Sequence, residues 1–180
     1  MIVLFLRHGH DLPGPAGENS LSSLGRHQVR ATIEQAAQGG IERFDLALTS
    51  EALRARETLE LASQHIPVDR EIVSSAVHPA APPERIFEEF LSHLDAPDES
   101  VVLVVGHEPQ LTNAIFLAAG AAPPPPDQRR DLLQRGEGVF APLRLHDSQI
   151  KLDPDDLVFF GEEYRPVASG ARSSASAKKI

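Results

Sequence analysis

The 180-residue sequence has no cysteine, which removes disulfides, thiolate metal sites and cysteine nucleophiles from the chemistry open to it. No apolar run approaches the roughly 20 residues that a bilayer-spanning helix needs. The apolar opening, Met1–Leu6, is too short for a secretory leader and runs straight into charge. Basic residues are in short supply: 17 Lys and Arg stand against 26 Asp and Glu, a formal net charge of −9 spread along the chain without an acidic tail. A nucleic-acid partner needs a basic face, so this balance argues against one. A local positive pocket is still open, because a few residues make a pocket and the net charge does not. The expectation is a soluble cytoplasmic protein with no membrane and no nucleic-acid partner.

What is present suits one globular domain with a single sizeable core, since 41% of the residues are hydrophobic. Three short runs rich in Val, Leu, Ile and Phe, bounded by polar or turn residues, read as buried strands: Ile2–Leu6, Phe44–Thr49 and Val101–Val105. Helices are expected between and after them. Ser22–Ala37 starts at a serine cap and stops before Gly39-Gly40, and Glu51–Gln64 places Leu53, Leu59, Leu61 and Ala62 near helical spacing. Pro82–Leu94 carries Ile86, Phe87, Phe90, Leu91 and Leu94 on one face, and Pro109–Ala119 starts on proline and ends before Gly120. Gly138–Leu145 and Leu157–Phe160 are weaker strand signals expected at the sheet edge. Pro123–Pro126 reads as a stiff connection that cannot be helix interior. From Val167 onward large apolar residues give way to Ser, Ala, Gly, Arg and Lys, so residues 1–166 are expected to form the domain and 167–180 a disordered tail. Strands alternating with helices indicate an α/β sandwich around a mostly parallel sheet.

The polar residues at the strand ends carry the chemistry. The first strand runs into Arg7-His8-Gly9-His10, at the end of a parallel strand where α/β sheets place their ligands. Gly9 lets the backbone turn and come close to a ligand. Val101–Val105 ends in Gly106-His107-Glu108-Pro109, which puts His107 just before a helix N-terminus, with its unpaired N–H groups and partial positive charge. Phe44–Thr49 passes through Ser50 into a helix bearing Arg54 and Arg56. Two histidines and a set of arginines therefore converge on one sheet edge. That set suits phosphoryl transfer. Guanidinium groups hold the equatorial oxygens as charge moves, and a neutral imidazole attacks phosphorus to form a phosphohistidine that water then hydrolyses. Flanking arginines are expected to disfavour the imidazolium form of His8.

These motifs resemble those of the histidine phosphatase superfamily, the phosphoglycerate mutase-like proteins. Leu6-Arg7-His8-Gly9 is similar to its signature, and Leu48 through Thr58, with Arg54 followed by Ala55, is similar to its second motif. Gly106-His107-Glu108-Pro109 is similar to its third motif, and Leu21 through Gln28 resembles its helix entry, so the likeness covers about residues 1–120. The resemblance implies a three-layer α/β/α sandwich with helices on both faces of the sheet. It also implies His8 as nucleophile, with Arg7, Gly9, Arg54 and His107 binding the phosphoryl group, and no cofactor. Arg54 carries the role in preference to Arg56 because it precedes Ala55.

Short length and the Gly-His-Glu-Pro form place the resemblance in the phosphohistidine phosphatase branch. Mutases place a glutamate after the next apolar stretch to protonate the leaving alcohol, whereas here the stretch reads Ile72 to Pro79 without it. A P–N bond demands less of an acid. The resemblance therefore implies a phosphorylated partner protein, a phosphohistidine carrier, as substrate, with a small phosphorylated metabolite as the alternative. Candidates for a general acid are His10, Glu18, His78 and Glu108, the last better suited to tuning His107 or capping the helix. Two rival readings remain. His8-x-His10 followed by Asp11 has the look of a zinc ligand pair, but Arg7 beside a divalent ion is electrostatically unfavourable, and no metal is expected. The pocket would also serve a non-catalytic phosphate-binding module, which would not need His8.

Overall fold

The computed structural model describes residues 1–14, 18–123, 125, 132–146 and 149–161. The first apolar run forms β1 (Ile2–Arg7), in which Val3 to Leu6 have no exposed surface. Such a strand is covered on both faces, which is why it reads as a continuous apolar run and not as an alternation. A two-stranded hairpin follows, β2 (Asp11–Pro13) and β3 (Asn19–Leu21). Next comes α1 (Ser23–Gln38), whose N-terminus is capped by the Ser22 side chain accepting from the Gly25 N–H at 3.0 Å. It ends at Gly39, and Gly40 takes a left-handed φ of 99°.

Then come β4 (Leu46–Thr49), α2 (Leu53–Ser63), β5 (Glu71–Val73) and a single 3-10 turn at Ser75–Val77. They are followed by α3 (Glu84–Leu91), β6 (Val101–Gly106) and α4 (Gln110–Ala118), and the described chain closes with β7 (Gly138–His146), β8 (Gln149–Leu152) and β9 (Val158–Phe160).

The sheet runs β5-β4-β6-β1-β7-β8, with β9 also paired to β7. The pairs β4–β5, β4–β6 and β1–β6 are parallel, while β7 is antiparallel to β1, β8 and β9. Helices cover both faces. Val29, Ile33 and Ala36 of α1 pack with Ala55, Leu59 and Ala62 of α2 over one face. Ile86, Phe87 and Phe90 of α3 pack with Leu111, Ala114 and Ile115 of α4 over the other. This is the three-layer α/β/α sandwich, its parallel half built from the three runs legible in the sequence.

Several elements differ from the sequence expectation. Phe44 makes only an isolated bridge to Val68, so β4 starts at Leu46. Ser22 caps α1 as expected, but α2 starts two residues later than expected and α3 is shortened at both ends. The hairpin β2–β3, β5 and β8 carry no hydrophobic alternation long enough to announce them. The disordered-tail expectation for 167–180 lies outside the described residues, as do parts of Pro123–Pro126.

Register decides where the polar strand ends arrive. Leu6 of β1 stands opposite Val105 of β6, which stands opposite Thr49 of β4. The residues that follow, Arg7-His8, Gly106-His107 and Ser50, therefore leave the sheet side by side.

Candidate active site

His8 leaves the end of β1 with its N–H donating to the Gly106 carbonyl at 3.1 Å, and only 5% of the residue is exposed. Its ring Nδ1 lies 2.9 Å from the Gly9 carbonyl. A carbonyl can only accept, so Nδ1 carries the hydrogen and Nε2 carries the lone pair. The Nε–H of Arg54 donates to that Nε2 at 3.2 Å. Burial lowers the His8 pKa to about 4, with Arg54 and Arg7 adding to the fall against the Gly9 hydrogen bond and Asp11. Desolvation, and not the flanking arginines, is the larger cause.

His107 is equally buried, and its ring centroid is 4.9 Å from that of His8. An Arg54 terminal nitrogen reaches its Nδ1 at 3.5 Å, while Nε2 lies 2.6 Å from Ser50 Oγ. Because the guanidinium only donates, the lone pair sits on Nδ1 and Nε2–H donates to Ser50. Burial, followed by the proximity of His8 and Arg54, brings the His107 pKa to about 3. One guanidinium thus faces both imidazoles, and both are neutral near pH 7.

The scaffold around them is tied locally. Thr58 Oγ1 donates to the Arg54 carbonyl at 2.7 Å and accepts the Gly9 N–H at 3.3 Å, which fixes the first turns of α2 against the His8 loop. Gly9 meets the backbone of Gly25 so closely that a Cβ there would lie 2.6 Å from the Gly25 oxygen. The close approach that Gly9 permits is therefore to α1. Arg7 donates from one terminal nitrogen to the Leu133 carbonyl at 2.8 Å, in the segment ahead of β7. In the same segment, the Gly136 N–H donates to the carbonyls of Arg7 and His8 at 3.2 and 3.0 Å.

That segment also brings Arg135 to the site. Its terminal nitrogen lies 2.6 Å from Asp11 Oδ1, while Asp11 Oδ2 lies 3.7 Å from Arg54 Nε and accepts from Asn19 Nδ2 at 2.7 Å. Burial alone would raise the Asp11 pKa. The Asn19 hydrogen bond and the charges of Arg135, His8 and Arg54 outweigh it and hold the carboxyl below its ordinary value.

The remaining sequence candidates separate. Arg56 is exposed and makes no contact with either imidazole among the described residues. The Glu108 carboxylate accepts from the Thr112 and Leu133 N–H groups at 3.1 and 3.2 Å, so it caps α4 and braces the segment before β7. His10 Nδ1 lies 2.8 Å from Ser22 Oγ, directed to the start of α1. Glu18 is exposed on the hairpin connection. His78 is exposed just after the 3-10 turn, with Nδ1 accepting the Ala80 N–H at 3.2 Å. The turn is stitched to the site because the Gln110 side-chain amide, at the start of α4, donates to the Ala76 carbonyl.

Among the described residues no three metal-ligating side chains gather, and the His8-x-His10 pair diverges, one ring on Arg54 and the other on Ser22. Ser50, Thr58 and Arg135 join the site without having been among the sequence candidates. Ser50 and Thr58 lie inside the second motif, so their place beside Arg54 was the signal for them; Arg135 offers only a Gly after it, Gly136 at φ 76°.

No family model and no curated protein sequence matches the chain. Solved structures do. The protein histidine phosphatase SixA, solved with tungstate, superposes with a TM-score of 0.66 at 20% identity, covering 89% of this chain and 97% of that one. The alpha-ribazole phosphatase of Shigella flexneri gives 0.55 at 18% identity, over 85% and 95% of the two chains. A phosphoserine phosphatase of Entamoeba histolytica, solved with 3-phosphoglyceric acid, gives 0.57 at 13% identity, over 90% and 97%.

Proposed function

We propose that this chain, which has the phosphoglycerate mutase-like fold of the histidine phosphatases, is itself a metal-independent phosphatase with His8 as nucleophile. The observation that carries the reading is the Arg54 guanidinium set between two buried, neutral imidazoles, its Nε–H resting on the lone pair of His8 Nε2. An incoming phosphoryl group takes over that N–H. Nε2 attacks phosphorus, a P–N bond forms as the bond to the leaving group breaks, and Arg7, Arg54 and His107 hold the equatorial oxygens. Water then attacks phosphorus, orthophosphate departs, and His8 returns neutral. Gly9 contributes to substrate binding through the loop it shapes.

The preferred substrate in this reading is phosphohistidine on a partner protein, hydrolysed in the cytoplasm as part of signal transduction. One observation and the chemistry of the P–N bond support it. Glu108 and His10 are each committed to structural partners, which leaves His78 or the exposed Glu18 to serve an alcohol leaving group. A P–N substrate does without strong acid assistance. A small phosphorylated metabolite is the second reading, and the observation that favours it is His78, exposed just after the 3-10 turn that Gln110 ties to the start of α4. His8 itself speaks against a purely binding module, which would need no nucleophile.

The test compares phosphate release from a phosphohistidine peptide with release from phosphoserine and phosphoglycerate, with and without EDTA. It is paired with mapping of an acid-labile, base-stable label. The expected result is fastest release from phosphohistidine, no effect of EDTA, and label on His8 that is lost in His8→Ala. A faster alkyl ester transfers the assignment to the metabolite reading, and full activity in His8→Ala ends both.

A further inference from the structure

Asp11 is a carboxylate with 4% of its side chain exposed, and a charge that deep is tolerated only when it is paired. Its two oxygens have different partners. Oδ1 meets Arg135 at 2.6 Å, and Oδ2 meets Arg54 Nε at 3.7 Å together with the Asn19 amide at 2.7 Å. Arg54 Nε carries one hydrogen, and that hydrogen points at His8 Nε2. Once His8 Nε2 bonds to phosphorus its lone pair is spent and it no longer accepts. The guanidinium must then turn onto the phosphoryl oxygens, and the fixed negative charge beside it is Asp11 Oδ2.

We infer that Asp11 and Arg135 form a positioning pair that sets the plane of the Arg54 guanidinium as the phosphoryl group transfers, an inference that rests on the phosphatase reading. Arg135 takes the far oxygen of Asp11, so the carboxylate steers Arg54 without holding it back from phosphate. The segment carrying Arg135 is located by the reacting strand, because Gly136 donates to the carbonyls of Arg7 and His8. The pair acts through Arg54 and does not touch substrate.

Steady-state kinetics and orthophosphate titration on the full chain decide the matter. Asp11→Asn keeps the shape and removes the charge. It is expected to lower kcat about tenfold with KM changed less than about threefold, the signature of an interaction lost in the transition state. Arg135→Ala is expected to do the same, and Arg135→Lys to recover most of the loss, since the contact is through one nitrogen. The Asp11→Asn/Arg135→Ala double variant should be no slower than Asp11→Asn alone. Additive losses overturn the pair, because Arg135 would then act independently, and so does a wild-type kcat in Asp11→Asn. If Asp11→Asn fails to fold, the contrast between Arg135→Ala and Arg135→Lys carries the test, and equal loss in both overturns it. A wild-type protein that neither releases phosphate nor binds orthophosphate overturns the phosphatase reading and the inference with it. An active wild type with unaffected variants overturns the inference alone.

Discussion

Arg54 and Arg56 differ by two positions on one helix, and α-helical geometry turns them about 200° apart. Arg54 faces both imidazoles, and Arg56 faces solvent. Arg54→Ala is therefore expected to cut turnover about 10²-fold or more, on the scale of losing one preorganised donor to a developing oxyanion, while Arg56→Ala stays within about twofold of wild type. Steady-state rates on one substrate check both, and the reverse ranking would shift the second motif by half a turn. Lysine at position 54 is not a conservative change, since a single ammonium cannot reach both rings. Arg7, His8, Arg54 and His107 were legible in the sequence because each follows an apolar strand or opens the helix after one. Arg135 was not. It is held by a pairing to Asp11 across 124 positions, and no local period encodes that.

The hairpin and α1 meet the His8 loop through two glycines. A Cβ at Gly25 would lie 2.1 Å from the His10 carbonyl oxygen and 2.7 Å from the His10 nitrogen, both backbone atoms that cannot step aside. Gly25→Ala must push α1 off the loop and is expected to cost about 1–3 kcal/mol, in the range of overpacked interiors. Urea denaturation measures it. Leu24→Ala next door, at a residue 49% exposed, serves as the near-silent control. The helices and the three central strands were legible because burial on one or two faces stamps a period on the sequence. β5 was not: it is a three-residue edge strand with Glu71 and Val73 exposed, so burial imposes no pattern on it. The hairpin β2–β3 is held chiefly by backbone pairing and by Leu21 N–H donating to Glu57 at 2.5 Å, and neither leaves an apolar signature.

Across the whole molecule, two imidazoles are buried uncharged, and their folded-state pKa values of about 4 and about 3 lie below the unfolded value of 6.5. The unfolded chain therefore takes up protons that the folded chain refuses as pH falls below 6.5, and stability declines through that window toward the folded values. Each group contributes up to about 1.4 kcal/mol per pH unit. Above 6.5 both states are neutral and the effect vanishes. Urea unfolding at about pH 7 and about pH 5 should show the drop, and His8→Gln or His107→Gln should each flatten the curve. An unchanged slope in both variants would place the acid sensitivity elsewhere.

The crossed sheet order also sets a schedule. The two histidines sit ring to ring yet are 99 positions apart in the chain, and the residues from 133 to 136 that close over them arrive later still. Loop closures of that span are slow and come late in folding. A chain emerging from its N-terminus thus carries His8 for 99 positions before the ring of His107 exists to meet it. On the proposed reading, the pocket that holds phosphate is finished by the segment that bonds the carbonyls of Arg7 and His8, nearly the last part of the described chain to arrive.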